Sequence, residues 1–376
     1  MSKLCIATVV SADDYQTYIP IFIYTVKRAY PEYYIKIFLR GKLNDKIRGM
    51  LDTMKKCKYC DLGWEIKEKS LMEYPALVST CNTLRHLLPE KEFKDFDYVY
   101  ITDIDFIVFR HDPTLLEYFA QRIKKTKLPY ASSRGPYQYP RRHHINGGGW
   151  KGNFTRISDG MLMLKVPEWF NQTEKARHKY EKLLRVGRPD GIDPHQPASY
   201  REYNEVMLYR ICKQSKLETP KTKNKFVDGH GFKKLYRDIH LGDFKFNKRN
   251  KEYRWIKPEN FFNFEALQKD EIWQKICSEL EGTIAGRMVK KTVEYTRTFR
   301  HEAHKRYKRE ECRKIPGKMP EQSEKTDGKK LESSADTGQP TGQVSEFGIY
   351  TDGGIPDTGS CERTENGVGI QPLVRS

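Results

Sequence analysis

The sequence predicts an α/β domain with a mostly parallel central sheet, and three observations predict it. Apolar β-type runs recur at Lys3–Val10, Tyr34–Leu39 and Tyr98–Phe109. Helix-length segments separate them, and Tyr15–Tyr30 places Ile19, Ile23, Val26 and Tyr30 at three- and four-residue spacing. Strands that alternate with helices pair in parallel, because each crossover helix returns the chain to the end of the sheet where the previous strand began.

The elements follow in order. Ser11-Ala12-Asp13-Asp14 ends the first strand and leads into the Tyr15–Tyr30 helix. Leu77–Leu88 reads as a helix carrying Arg85, and the Tyr98–Phe109 strand follows it. Ser132–Asn153 is a long loop rich in Gly, Pro, Arg and His, expected to cover a substrate. Arg156–Val166 returns to strand character around Ser158-Asp159-Gly160, and Tyr203–Lys213 is a short helix. Glu281–Arg313 reads as one long helix with an apolar stripe of Met288, Tyr295, Phe299, Ala303 and Tyr307 among basic residues. Such a helix suits an anionic membrane surface, a nucleic acid, or docking on the body with a solvated face. Residues 316–376 are polar and poor in large apolar side chains, so disorder is expected there.

Composition narrows the classes. The chain has 376 residues, with 68 basic against 50 acidic side chains and a formal charge of +18. The acidic balance of residues 316–376 leaves the remainder still more basic, which favours polyanionic partners. No run has the length of a membrane span, and Met1–Ser11 lacks a signal-peptide pattern. The eight cysteines are scattered, as in a reducing compartment, and the lone Cys57-x-x-Cys60 lacks the second pair of a zinc site. A cytoplasmic protein is expected, or one peripheral at the inner membrane surface.

Asp103 and Asp105 carry the chemistry. They interrupt an otherwise apolar strand, where an uncompensated charge is costly. Two residues apart in extended backbone, they face the same side, and two hard oxygen ligands suit Mg²⁺ or Mn²⁺ with substrate phosphates. Solvated acids at a strand end, or a salt bridge, are the simpler reading of an isolated pair.

With Val10–Tyr30 upstream and His240-Leu241-Gly242-Asp243-Phe244-Lys245 downstream, the order of motifs resembles the nucleotide-sugar glycosyltransferases of family 8. That group includes glycogenin and the lipopolysaccharide galactosyltransferases. The resemblance spans roughly residues 3–250 and implies a GT-A-type, Rossmann-like domain over 1–275, followed by the basic helix at 281–315 and a tail at 316–376. It implies a metal-dependent transferase moving a sugar from a UDP-sugar, with retention of anomeric configuration. Asp103, Asp105 and His240 would ligate Mn²⁺ or Mg²⁺. Thr8, Asp13, Tyr15, Arg85, Asp103, Gly242 and Lys245 would bind the donor. Asn204-Glu205 resembles the family's Gln-Asp pair, and Asp159 stands in its Asn-Ala-Gly region; these three would serve the reacting carbon. The sequence departs from the family in lacking that Asn and the Pro-Trp after Lys245.

The acceptor stays open between a saccharide or membrane-surface glycolipid and modified DNA. The alternative is a non-catalytic nucleic-acid-binding or scaffold protein with a degenerate nucleotide-sugar fold. A nucleotidyltransferase also uses paired acids, but a Gly-rich phosphate loop near residue 10 is missing.

Overall fold

The computed structural model describes residues 2–56, 63–72, 74, 83–132, 137–139, 154–156, 161–185, 203–217, 238–241 and 258–297, all within a compact unit spanning Met1–Pro320. A second unit, Glu321–Ser376, holds none of them.

Strand β1 (Leu4–Val10) is buried along nearly its whole length, as a central strand covered on both faces must be. A 3-10 segment at Asp13–Tyr18 leads into α1 (Ile19–Ala29), so the expected Tyr15–Tyr30 helix begins with a tighter turn. Pro20 in the first turn of α1 explains the break, since its ring suits a helix start and not an interior. Strand β2 (Tyr34–Leu39) matches its expected bounds, α2 (Asp45–Met54) follows, and β3 (Trp64–Lys67) adds an edge. Asn44 caps α2 by accepting from Lys46 N–H.

Strands β4 (Tyr98–Thr102) and β5 (Phe106–Ile107) flank the two acids. Helix α3 (Leu115–Thr126) is closed by a capping box between Thr114 and Glu117. Strands β6 (Tyr130–Ser132), β7 (Tyr137–Tyr139), β8 (Phe154–Arg156) and β9 (Met161–Lys165) precede α4 (Val166–Arg185). Then come α5 (Tyr203–Gln214), β10 (Ile239–His240), α6 (Pro258–Leu267), α7 (Glu271–Glu279) and α8 (residues 284–297).

The main sheet has the order β3-β2-β1-β4-β9-β6. The first four strands are parallel; β9 runs against both β4 and β6. The expected mostly parallel α/β class is thus what the chain adopts. Alternate residues of β1 serve two cores: Leu4, Ile6 and Val10 meet α1, α2, α3, α6, α7 and α8, whereas Cys5 and Ala7 meet α4 and α5. Asp270 couples two helices on the first face, capping α7 at Ile272 and Trp273 N–H and accepting from Tyr24 Oη at 2.6 Å. Lys27, buried, donates from Nζ to the carbonyls of Pro31 and Tyr33 and closes the α1–β2 turn. Gly63 stands beside it at φ +79°, a backbone conformation that favours glycine, with Lys27 Nζ 2.8 Å from where a Cβ would project.

The described start of the expected Glu281–Arg313 helix is docked. Ala285, Met288, Val289, Thr292 and Thr296 form its buried face, while Arg287, Lys290, Lys291 and Arg297 remain exposed. Phe299, Ala303 and Tyr307 lie outside the described residues, as do the Cys57/Cys60 pair, nearly all of the 132–153 loop, and 316–376. No described helix is long and apolar enough to cross a membrane.

Candidate active site

The site sits at the carboxyl ends of β1 and β4, where ligands gather in open α/β sheets. Strand β4 ends at Thr102, and the chain turns through Asp103-Ile104-Asp105 into β5. Strand β10 pairs antiparallel with β5, Ile239 opposite Ile107 and His240 opposite Phe106. Leu241 N–H donates to the Asp105 carbonyl at 2.8 Å. This short ribbon carries a histidine from 135 residues away to the acidic turn: His240 Nε2 lies 3.0 Å from Asp105 Oδ1. The imidazole stacks on the Phe106 ring at 4.6 Å, which fixes its plane.

Asp105 is buried, and Asp103 is half-buried. Arg85, also buried, donates from Nη1 to Asp103 Oδ1 at 2.6 Å. Its place is a turn after the described helical residues Thr83–Leu84, not the helix interior the sequence suggested. Arg177 of α4 holds that turn by donating from Nε to the His86 carbonyl and from Nη2 to the Leu88 carbonyl, with its guanidinium over the Phe170 ring. Burial pulls the Arg177 guanidinium down to about 10, still charged at neutral pH.

The Asp13 end is more open. Asp13 is exposed and accepts from Gln16 Nε2 at 3.1 Å; the same nitrogen bonds the Lys42 carbonyl. Tyr15 is half-buried with its ring 5.5 Å from that of Tyr18. Thr8 is buried, and its hydroxyl has no hydrogen-bond partner among the described residues. Burial first, then the charge of Asp105, pushes the Tyr18 phenol above its ordinary range, so a neutral hydroxyl stands near that acid. Sequence reasoning missed Tyr18, although it lies only three residues after Tyr15.

Of the expected site residues, the structure brings Asp105 to His240 and Arg85 to Asp103. Asn204 and Glu205 fall in the first turn of α5, with side chains outside the described residues. Asp159, Gly242 and Lys245 lie outside the described residues altogether. Among the described residues no three His, Cys, Asp or Glu side chains stand together as a metal-binding group. The donor set nevertheless suits a hard divalent cation in one respect. The 3.0 Å between Asp105 Oδ1 and His240 Nε2 is about what adjacent ligands of an octahedral ion at about 2.1 Å present.

No protein-family model and no curated protein matches the chain. Solved structures of similar fold are glycosyltransferases. The galactosyltransferase LgtC, solved with donor and acceptor sugar analogues, matches at 14% identity over 54% of this chain and 83% of its own, with a TM-score of 0.31. GlyE of Streptococcus pneumoniae TIGR4 matches at 12% identity over 74% and 63%, with a TM-score of 0.40. The mannosyltransferase Ktr4p of S. cerevisiae matches at 10% identity over 55% and 66%, with a TM-score of 0.34. At TM-scores below 0.5 these likenesses assign no chemistry, which rests on the side chains at the site.

Proposed function

We propose that the chain is a glycosyltransferase that moves a sugar from a UDP-sugar to a saccharide acceptor, with Mn²⁺ or Mg²⁺ bound at Asp105 and His240. One observation carries the reading: an acid in the turn between β4 and β5 and a histidine from β10, 135 residues apart, meet at 3.0 Å beside a second acid. A nucleoside diphosphate leaves readily only when its charge is neutralised, and a bound divalent cation supplies that neutralisation. Mn²⁺ is favoured over Mg²⁺ because one ligand is an imidazole.

The chain's own residues do the rest. His240 presents a neutral nitrogen and Asp105 a carboxylate oxygen toward the diphosphate. Arg85, with its charge balanced by Asp103, orients that acid for the ribose. Asp13 accepts from the uracil N3–H at the open end, against the face of Tyr15. Gly242 allows the backbone close to the diphosphate, and Lys245 holds a positive charge at the leaving phosphate. Asn204, Glu205 and Asp159 border the reacting carbon, where retention follows from either a carboxylate attack or same-face entry of the acceptor.

A second reading is favoured by the same contacts. Asp105, hydrogen-bonded to His240, and Asp103, paired to Arg85, are also satisfied without any metal, as in a non-catalytic nucleic-acid-binding or scaffold protein with a degenerate nucleotide-sugar fold. Thermal shift with UDP separates the two. The transferase should gain stability with UDP plus Mn²⁺, lose that gain in EDTA, and lose it in Asp105→Ala and His240→Ala while both variants stay folded. Metal-dependent hydrolysis of a UDP-sugar should accompany it. Indifference to UDP and Mn²⁺ in the unaltered chain would sink the proposal.

A further inference from the structure

Asp238 and His111 are, we propose, positioning residues: a buried latch that fixes the backbone from which His240 reaches the acidic turn. The inference rests on the reading above that His240 serves a metal-bound diphosphate.

The ladder between β5 and β10 is two residues long, and a ribbon that short is marginal by itself. What extends it is a side chain. Asp238 Oδ1 accepts from Phe109 N–H at 2.9 Å and stands 2.9 Å from His111 Nε2. A carboxylate only accepts, so His111 carries its proton on Nε2 in this contact. His111 is fixed in turn, its own N–H donating to Tyr30 Oη at 2.9 Å, and Tyr30 lies wholly buried at the end of α1. The chain Tyr30–His111–Asp238 therefore runs from a core helix to the residue two before His240. On the far side, Leu241 N–H bonds the Asp105 carbonyl, so His240 is tied at both flanks.

The energetics favour a positional role. Asp238 and His111 are each about 5–6% exposed, and burying a carboxylate is costly unless hydrogen bonds compensate it. For stability alone an apolar residue would cover the neighbouring Ile239 and Leu241 at least as well. What an apolar residue could not do is bond to Phe109 and His111 and set the register of β10. Around Asp238, burial followed by its charge also holds the Tyr30 and Tyr100 phenols above their ordinary range, which keeps these neighbours uncharged.

The test uses the full chain and reads Mn²⁺ affinity in the presence of UDP, from the electron-paramagnetic signal of free Mn²⁺, beside melting temperature. Loss of a residue that orients a metal ligand typically weakens metal binding by about 10–100-fold. Asp238→Ala should show a loss in that range. Asp238→Asn keeps an acceptor for Phe109 N–H and should restore most of the affinity. His111→Phe, which preserves bulk, should lie between them and serves if Asp238→Ala fails to fold. Ile123→Ala, a cavity in α3 at the opposite end of the sheet, should lower the melting temperature and leave Mn²⁺ affinity unchanged. Wild-type affinity in a folded Asp238→Ala or His111→Phe would overturn the latch alone. Failure of the unaltered chain to bind Mn²⁺ with UDP would overturn both the latch and the function it rests on.

Discussion

Single side chains decide the geometry of the acidic turn. Arg85 meets Asp103 from a turn that Arg177, reaching from α4, holds by bonding the carbonyls on either side of residue 87. Two buried carbonyls lose their donor in Arg177→Met, and each unsatisfied acceptor costs about 1–3 kcal/mol. A loss of about 2–4 kcal/mol in urea denaturation is expected, together with weaker UDP binding through displacement of Arg85. Equal stability of variant and parent would show that the turn holds without the clamp. The acids themselves were legible, because charges within an apolar run stand out, but they lie in the turn between β4 and β5 and not inside the single extended strand expected over Tyr98–Phe109. Arg177 was not, since nothing in a sequence marks which arginine will fold back onto a distant turn.

Among the elements, the cap of α3 is a local device that can be tested directly. Thr114 accepts from Glu117 N–H, while the Glu117 carboxylate accepts from Thr114 N–H and its hydroxyl. Thr114→Ala should cost about 1 kcal/mol, measured by chemical denaturation. The Thr114 N–H and hydroxyl hold the Glu117 carboxyl below its ordinary range. Its stabilisation is thus complete above the usual carboxylate range and fades as pH falls through the depressed folded value. Comparing Glu117→Gln with the parent from neutral pH to about pH 3, the gap in melting temperature should narrow on acidification; a constant gap would remove the ionised cap from the account. Strands β1, β2 and β4 were legible as apolar β-type runs, and α5 as a short helix. Helices α2, α3 and α4 were missed although α3 spaces Leu115, Phe119 and Ile123 four apart, because charged residues between them dilute the pattern.

Across the whole molecule, α8 shows how context overrides a stripe read from sequence. The expected stripe ran through Met288 and Tyr295 toward Tyr307, but the buried face is Ala285, Met288, Val289, Thr292 and Thr296. Its threonines hide their polarity by donating to backbone carbonyls, Thr292 to Met288 at 2.8 Å and Thr296 to Val293 at 2.9 Å. Met288→Ala should therefore cost about 2–5 kcal/mol of global stability, whereas Lys290→Ala on the exposed side should change it by less than about 0.5 kcal/mol. Denaturation of the two variants checks this, and similar small losses in both would mean that α8 is not part of the core.

The sequence by itself determined the α/β class, the strands at the sheet centre, the paired acids, and a distant histidine motif in the order of a known family. These are local or ordinal properties, carried by apolar run length and by residues rare in such runs. Only the tertiary structure decided that His240 meets Asp105, that Arg85 takes Asp103, and that Asp238 and His111 anchor the ribbon between them. Arg85 and Asp103, 18 residues apart, meet through a turn that Arg177 holds from α4. The His240–Asp105 and Asp238–His111 pairs depend on which strand edges lie side by side after folding, and contacts across more than a hundred residues leave no periodic trace in the chain.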